Sequence, residues 1–278
     1  IEPASGLPNR AQFYDDLEDL GREHAGEQRT VVTVELAPAE RINEGLRVLG
    51  PRYMDDLLAQ AVPTIRSLLA PATVYHVSAH QFAALLDEAD DLAGLRSDLL
   101  KRLEERRTAP GQSFLDSAAV GLFGFRLAEA KPADILRFGH SAALDARGVG
   151  GGVALHSTRK DAAHRRRFSL LADFEQALAS TDQLRLVIQP RVDLQNGAIL
   201  GGEALLRWRH PTLGDVPPDE FVPLVEQTGL ARPMSQWVLE RSGAVLRDLQ
   251  DRGFGGRLSL NLSSVNLLEA DLPERVYR

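Results

Sequence analysis

Cysteine is the first thing missing: the 278 residues contain none. Disulfides and thiolate metal sites are thereby excluded, and the chain suits a reducing compartment, so a cytoplasmic location is the expectation. No apolar run approaches the roughly 20 residues of a membrane span, and no signal peptide opens the chain; a membrane anchor or sensor would have to lie outside it. A surplus of positive charge is missing too. The formal charge is −7, the wrong sign for a surface that coats a nucleic acid polymer. Internal repeats and low-complexity tracts are absent as well. What is there is ordinary globular material, 44% hydrophobic and 26% charged with 23 Gly and 15 Pro, in a length suited to about two domains. The chain starts at Ile1 and stops at Arg278 within a helical pattern, and so reads as a segment of a longer protein.

Ser5-Gly6-Leu7-Pro8-Asn9-Arg10 leads into a helix with Phe13, Leu17 and Leu20 on one face. Thr30 to Leu36 (TVVTVEL) is a short, β-branched, buried strand, and the following stretch reads as two helices broken near Gly50-Pro51. Their apolar faces come from Ile42, Leu46 and Leu49, then from Leu57, Leu58, Ala61 and Ile65. VYHVSAHQFAALL, from Val74, has the rhythm of a buried hairpin, yet its turn letters Ser78-Ala79-His80 are not the Gly, Asn or Asp such turns favour. A helix (DLAGLRSDLLKRLEERR), a strand (SAAVGLFGF), a second helix (ADILRFGHSAALDAR) stopped by Gly148 to Gly152, and a closing strand over Val153 to His156 follow. The composition then shifts at Ser157. Basic letters early and leucines late predict a connecting helix over 158–172, with His164-Arg165-Arg166-Arg167 as a solvated turn. LRLVIQP and ILGGEALLRW read as strands. A helical stretch runs from FVPLVEQTGL through MSQWVLERSGAVLRDLQDRG, and RLSLNLS is the next strand. That order predicts the opening of a parallel α/β sheet or barrel.

Gly202-Glu203-Ala204-Leu205-Leu206-Arg207-Trp208-Arg209-His210-Pro211 follows Val187-Ile188-Gln189-Pro190. It precedes Phe221 to Leu230 (FVPLVEQTGL), Trp237-Val238-Leu239 and Leu260-Asn261-Leu262-Ser263. These five blocks, in this order, closely resemble the first part of the EAL domain, the family of cyclic-di-GMP phosphodiesterases. The resemblance implies a (β/α)8-type barrel with its chemistry at the carboxyl ends of the strands. Glu203 would ligate Mg²⁺ or Mn²⁺ at the end of the second strand, and Asn261 at the end of the third. Arg207 would hold a substrate phosphate through its fork of donors, and Gln189 would lie at the floor of the nucleotide site. Trp208, Phe221 and Trp237 are expected in the core. The family's remaining metal ligands and catalytic lysine would follow Arg278, so this segment holds no complete catalytic site. A closed barrel takes about 250 residues. The segment therefore needs the missing half, a second copy of itself or a protein partner against its open face.

Ser5 to Phe13 (SGLPNRAQF) similarly resembles the TGLPNRxxF opening of the GGDEF, or diguanylate cyclase, family. Glu35 to Glu44 lines up with its DLDxFKxIND block, Ser78-Ala79-His80-Gln81-Phe82 falls at the GGDEF signature, and Ala142 to Arg147 takes the place of ALYxAK. The fold class is thus α/β. The domains expected are a degenerate cyclase-like domain over 1–157, a connecting helix over 158–172, and the first portion of an EAL domain over 173–278. Ser78 and Ala79 replace the glycines that admit a nucleotide, and His80 and Gln81 replace the acidic pair. Glu35 survives as one metal-ligand position, but Ala37 stands where a second acid belongs and Glu40 where a phosphate-binding lysine would be. Asn43 is retained at the guanine position. The inhibitory RxxD motif is replaced by Ala70-Pro71-Ala72-Thr73. No cyclase activity is expected.

A rival reading, zinc held by His76 and His80, needs a helix under its H-x-x-x-H spacing, whereas the local pattern is strand and turn. The functional expectation is a cyclic-di-GMP signalling protein. Its EAL domain would hydrolyse cyclic-di-GMP to linear pGpG, and its inactive cyclase domain would regulate or dimerise it. The alternative is a non-catalytic cyclic-di-GMP receptor or protein-interaction scaffold.

Overall fold

The structure, a computed structural model, describes residues 1–87, 91–107, 116–148, 152–263 and 266–277. The chain divides after Asp161 into two compact units. Residues 149–151 of the expected glycine stop, and Arg278, lie outside the described residues.

In the first unit, helix α1 (Arg10–Glu23) is followed by strand β1 (Gln28–Glu35), then α2 (Ala39–Leu49), α3 (Arg52–Leu69), β2 (Val74–Ser78) and β3 (Gln81–Leu86). After these come α4 (Leu92–Arg107), β4 (Ala119–Arg126), α5 (Pro132–Gly148) and β5 (Gly152–Leu155). The strands form one sheet in the order β2-β3-β1-β4-β5, antiparallel except for β4–β5. Strand β1 is covered on both faces, which is why its apolar letters run without alternation. Val32 and Val34 join the core built by Leu58, Ile65 and Leu103 of α3 and α4, while Val31 joins Phe13, Leu17 and Ile135 of α1 and α5. Each such fully buried side chain contributes roughly 1.5–3 kcal/mol. The Asn9 side chain caps α1 by accepting the Gln12 backbone N–H at 3.1 Å. Gly50, at φ 69°, ends α2 where the break was expected.

The hairpin turn is tighter than its letters suggest. Ser78 pairs with Gln81, so Ala79-His80 alone make the turn, and a bulge between His76 and Ser78 shifts the register. Among the described residues only Ala128 is a non-glycine with positive φ, so this turn places no residue where glycine would be required.

The second unit starts within α6 (Thr158–Ala179) and continues as β6 (Leu184–Val192), β7 (Ile199–His210), β8 (Gly214–Val216), α7 (Pro218–Glu226), α8 (Ala231–Asp251) and β9 (Arg257–Leu260). A 3₁₀ turn at Asn266–Leu268 and α9 (Leu272–Tyr277) close it. Two expectations need correcting. The sheet is not wholly parallel: β6 and β8 run antiparallel to β7, and only β9 is parallel to it. The connection at residues 193–198 is a hairpin loop, and a parallel crossover needs about a dozen residues or more. The helical stretch is also two helices. Thr228 donates to the Val225 carbonyl at 2.8 Å and accepts the Leu230 N–H at 3.2 Å, which stops α7 and starts α8. Trp208 and Phe221 are fully buried with Phe174, and Trp237 packs partly buried against the same core, as expected. His210 accepts the Thr212 and Leu213 N–H groups at 3.2 Å through Nδ1, and its Nε2 lies 3.0 Å from Asp173. The β7–β8 turn is thereby tied to α6. Of the basic run, Arg166 pairs with Glu220 of α7.

Candidate functional site

The small sheet of the second unit has two unlike faces. Leu184, Ala204 and Trp208 point into the helix-covered core, whereas Val187, Gln189 and Arg191 alternate with the core-facing residues of β6 and are exposed. Register places Gln189 opposite Glu203, and Glu203 opposite Ser259, so the three share one row across β6, β7 and β9 on the open face. Arg207 lies four residues along β7 on that same face. Asn261 follows the last residue of β9, and its Nδ2 donates to Glu203 Oε1 at 2.8 Å. The two predicted ligands, 58 residues apart, therefore meet. Glu203 is not at the end of β7, as expected, but in its middle. The parallel pairing with β9 stops one residue later, at Ala204–Leu260, and β7 continues as the partner of β6 and β8. Arg207 Nη1 donates to the Leu206 carbonyl at 2.9 Å. Beside it is a cavity of about 300 Å³ lined by Arg207, Asp219, Ser235, Asn261 and Ser263. A carboxylate and an amide oxygen are hard donors that fit Mg²⁺ or Mn²⁺ as two members of a larger set. Among the described residues, no three His, Asp or Glu side chains are grouped as a metal cage.

The first unit brings its own set together where β1, the hairpin and α5 meet. Glu35 is 5% exposed. Arg147 holds its Oε2 through Nη2 at 3.1 Å and Nε at 3.3 Å, and His80 Nε2 lies 3.4 Å from Oε1. Gln81 Nε2 lies 3.0 Å from His140 Nδ1. A cavity of about 200 Å³ is lined by Thr33, Glu35, Ser78, Gln81, Arg137 and His140. Burial would push the Glu35 carboxyl up, but the His80 hydrogen bond and the Arg147 guanidinium outweigh it and hold the group below its ordinary value. Burial lowers His140, against the pull of Glu35. Ala37 is buried in the apolar core, while Glu40 and Asn43 are exposed on α2 and do not line this cavity. Ala79 is exposed at the turn. His76 has partners of its own: its Nδ1 lies 2.9 Å from Ser5 Oγ, its Nε2 lies 3.4 Å from the Ala79 carbonyl oxygen, and its ring stacks on Phe82. The two histidines do not converge on a common site.

Sequence reasoning missed Arg147 and His140 as members of this cluster. The signal was present, since the two are seven residues apart on one helix and so share a face after two turns. Arg191, which donates to Ser259 Oγ at 2.8 Å, was missed as well.

The family description "EAL domain" matches residues 171–278. The cyclic di-GMP phosphodiesterase PA2567 of Pseudomonas aeruginosa is 36% identical over 284 residues, covering 100% of this chain and 48% of that protein. The bifunctional diguanylate cyclase/cyclic di-GMP phosphodiesterase MucR of the same organism is 29% identical over 277 residues, covering 97% of this chain and 40% of that protein. The chain thus spans about half the length, or less, of these curated relatives. A solved GGDEF domain of the PA2567 protein is 28% identical, covers 54% of this chain and 94% of that chain, and superposes with a TM-score of 0.45.

Proposed function

Because the chain belongs to the tandem GGDEF–EAL proteins of cyclic-di-GMP signalling, we propose that the full-length protein hydrolyses cyclic-di-GMP to pGpG through the site around Glu203. Residues 1–157 serve as a regulatory, catalytically silent domain, residues 158–172 connect, and residues 173–278 carry the first part of the hydrolytic site. The observation that carries the reading is the meeting of Glu203 and Asn261 at 2.8 Å on an open sheet face.

Glu203 and Asn261 would hold a divalent cation. Asn261 now turns its amide nitrogen to Glu203, and a half-turn of the amide presents Oδ1 instead, at little cost because both groups are accessible. A bound cation supplies an activated water and shields the charge that builds on the phosphoryl oxygens. Arg207 orients the scissile phosphodiester with its planar fork, which removes rotational freedom before attack. Gln189, opposite Glu203 on the same face, would hydrogen-bond the nucleotide. Water oxygen replaces one ribose oxygen on phosphorus, and the linear dinucleotide leaves.

The test is hydrolysis of cyclic-di-GMP by the full-length protein with Mg²⁺ or Mn²⁺, with Glu203→Ala as control. Turnover that disappears in the variant supports the reading. Binding without turnover in the wild type makes the protein a receptor, and neither binding nor turnover leaves a scaffold.

A further inference from the structure

Gln189, Glu203 and Ser259 form one row of the open face of the second unit. The next row, one pair step along the sheet, holds Arg191, Gly201 and Arg257. Strands β6 and β9 both flank β7, so their side chains start roughly 10 Å apart, twice the usual strand spacing. Arg191 nevertheless reaches across, donating from Nη1 to Ser259 Oγ at 2.8 Å. It can do so because the residue between is glycine. A Cβ at Gly201 would come within 2.5 Å of the Arg257 carbonyl oxygen, so no side chain stands in that corridor. Ser259, the residue it reaches, is the direct register partner of Glu203. Among the described residues, no carboxylate within salt-bridge distance neutralises Arg191.

We infer that Arg191, anchored on Ser259, is a positioning residue that keeps a fixed positive charge beside the Glu203–Asn261 pair and thereby weakens its affinity for a divalent cation. This rests on the reading of Glu203 and Asn261 as a cation seat. The physical cause is direct. Ser259, which anchors the guanidinium, is the neighbour of Glu203 one strand spacing away, and a fixed positive charge held there repels a cation at the carboxylate even in a wet site. The same charge attracts a phosphodiester, so an anionic substrate and the cation enter the site cooperatively and the empty site stays weakly loaded. Arginine suits the role because it stays charged at any working pH, and its planar fork is fixed by a single anchoring bond.

The experiment is Mn²⁺ titration of the full-length protein without nucleotide, followed by loss of the free-ion electron paramagnetic resonance signal. Arg191→Met is expected to lower the Mn²⁺ dissociation constant about three- to tenfold at low salt, and less at high salt. Arg191→Lys, which keeps the charge, should stay close to wild type. Unchanged or weaker Mn²⁺ binding in a folded Arg191→Met protein overturns the inference while leaving the cation seat standing. Wild-type Mn²⁺ binding that does not depend on Glu203 overturns both, and Glu203→Ala run in parallel separates the two failures.

Discussion

Glu35 and Glu203 are the same side chain in comparable settings: each lies on a strand beside a residue from another element, and each stands at a position that resembles a family metal ligand. Their partners differ in charge. Glu35 is nearly buried and is answered from inside the protein by the Arg147 guanidinium and the His80 ring. Glu203 is only partly buried and is answered by the neutral Asn261 amide. A carboxylate already paired with a guanidinium has no need of an external cation, and admitting one would strand the arginine. A carboxylate paired with an amide loses little, because the amide turns over and becomes a ligand. In the first site the carboxylate is thus committed to a partner inside the fold, while the second, as the proposed function requires, is left free to exchange its partner.

The largest effect that would break this contrast is on activity. Glu203→Ala should lower cyclic-di-GMP hydrolysis by at least roughly 10³-fold, since under the proposed function it removes a ligand of the group that would activate water. The same change should alter stability by no more than about 0.5 kcal/mol, because the side chain lies on an open face. Glu35→Gln should do the reverse. Removing its charge leaves Arg147 uncompensated in a largely buried site, at about 3 kcal/mol of stability. Both tryptophans, Trp208 and Trp237, lie in the second unit, so their fluorescence is blind to this loss. Faster hydrogen exchange through β1 and α5 is the readout, and unchanged exchange there would remove the structural role given to Glu35.

A smaller effect concerns pH. His140 has its folded value lowered by burial, so below the ordinary histidine value of 6.5 the unfolded chain takes up a proton that the folded chain resists. Stability of the first unit is full above that value and declines as pH falls below it. Glu35, also held low, adds a second decline only below about 4.5, where the unfolded carboxyl is protonated first. His140→Gln should abolish the first decline and spare the second. Exchange rates in β1 at about pH 7.5 and about pH 5.5, corrected for intrinsic chemistry, decide it. An equal pH response in the variant would mean that His140 is not the group.

Much of this was legible in the letters. The five blocks around Glu203 and the SAHQF turn pointed to both side-chain clusters, whereas the alternation within LRLVIQP, which marks an open face, went unread. What the letters hid were relations between distant segments. The length of β7 depends on three partners, so the middle position of Glu203 could not be read from ILGGEALLRW alone. The antiparallel start of the second sheet was readable in principle from the short 193–198 connection. Arg147 looked like a block letter at the end of a helix. Only the packing of α5 on β1 shows that it pairs with Glu35.

The smallest expected effect is none at all, and it sharpens the comparison most. Restoring the signature by Ser78→Gly, Ala79→Gly, His80→Asp and Gln81→Glu, in a Glu203→Ala background so that no product is hydrolysed, should yield no detectable cyclic-di-GMP from GTP. The hairpin turn already works without positive φ, so the two glycines change access but not architecture. The new carboxylates would stand beside Glu35 with Arg147 still in place, and the guanidinium, tethered also to the Ser117 carbonyl, would pair with them before any Mg²⁺ could. Ala37 remains buried where the resemblance would put a second ligand, and Glu40 still stands where it would put a lysine. Product formation by this four-residue variant, followed by chromatography of the nucleotides, would show that the lost signature alone had silenced the first unit and that the Arg147–Glu35 pair is incidental.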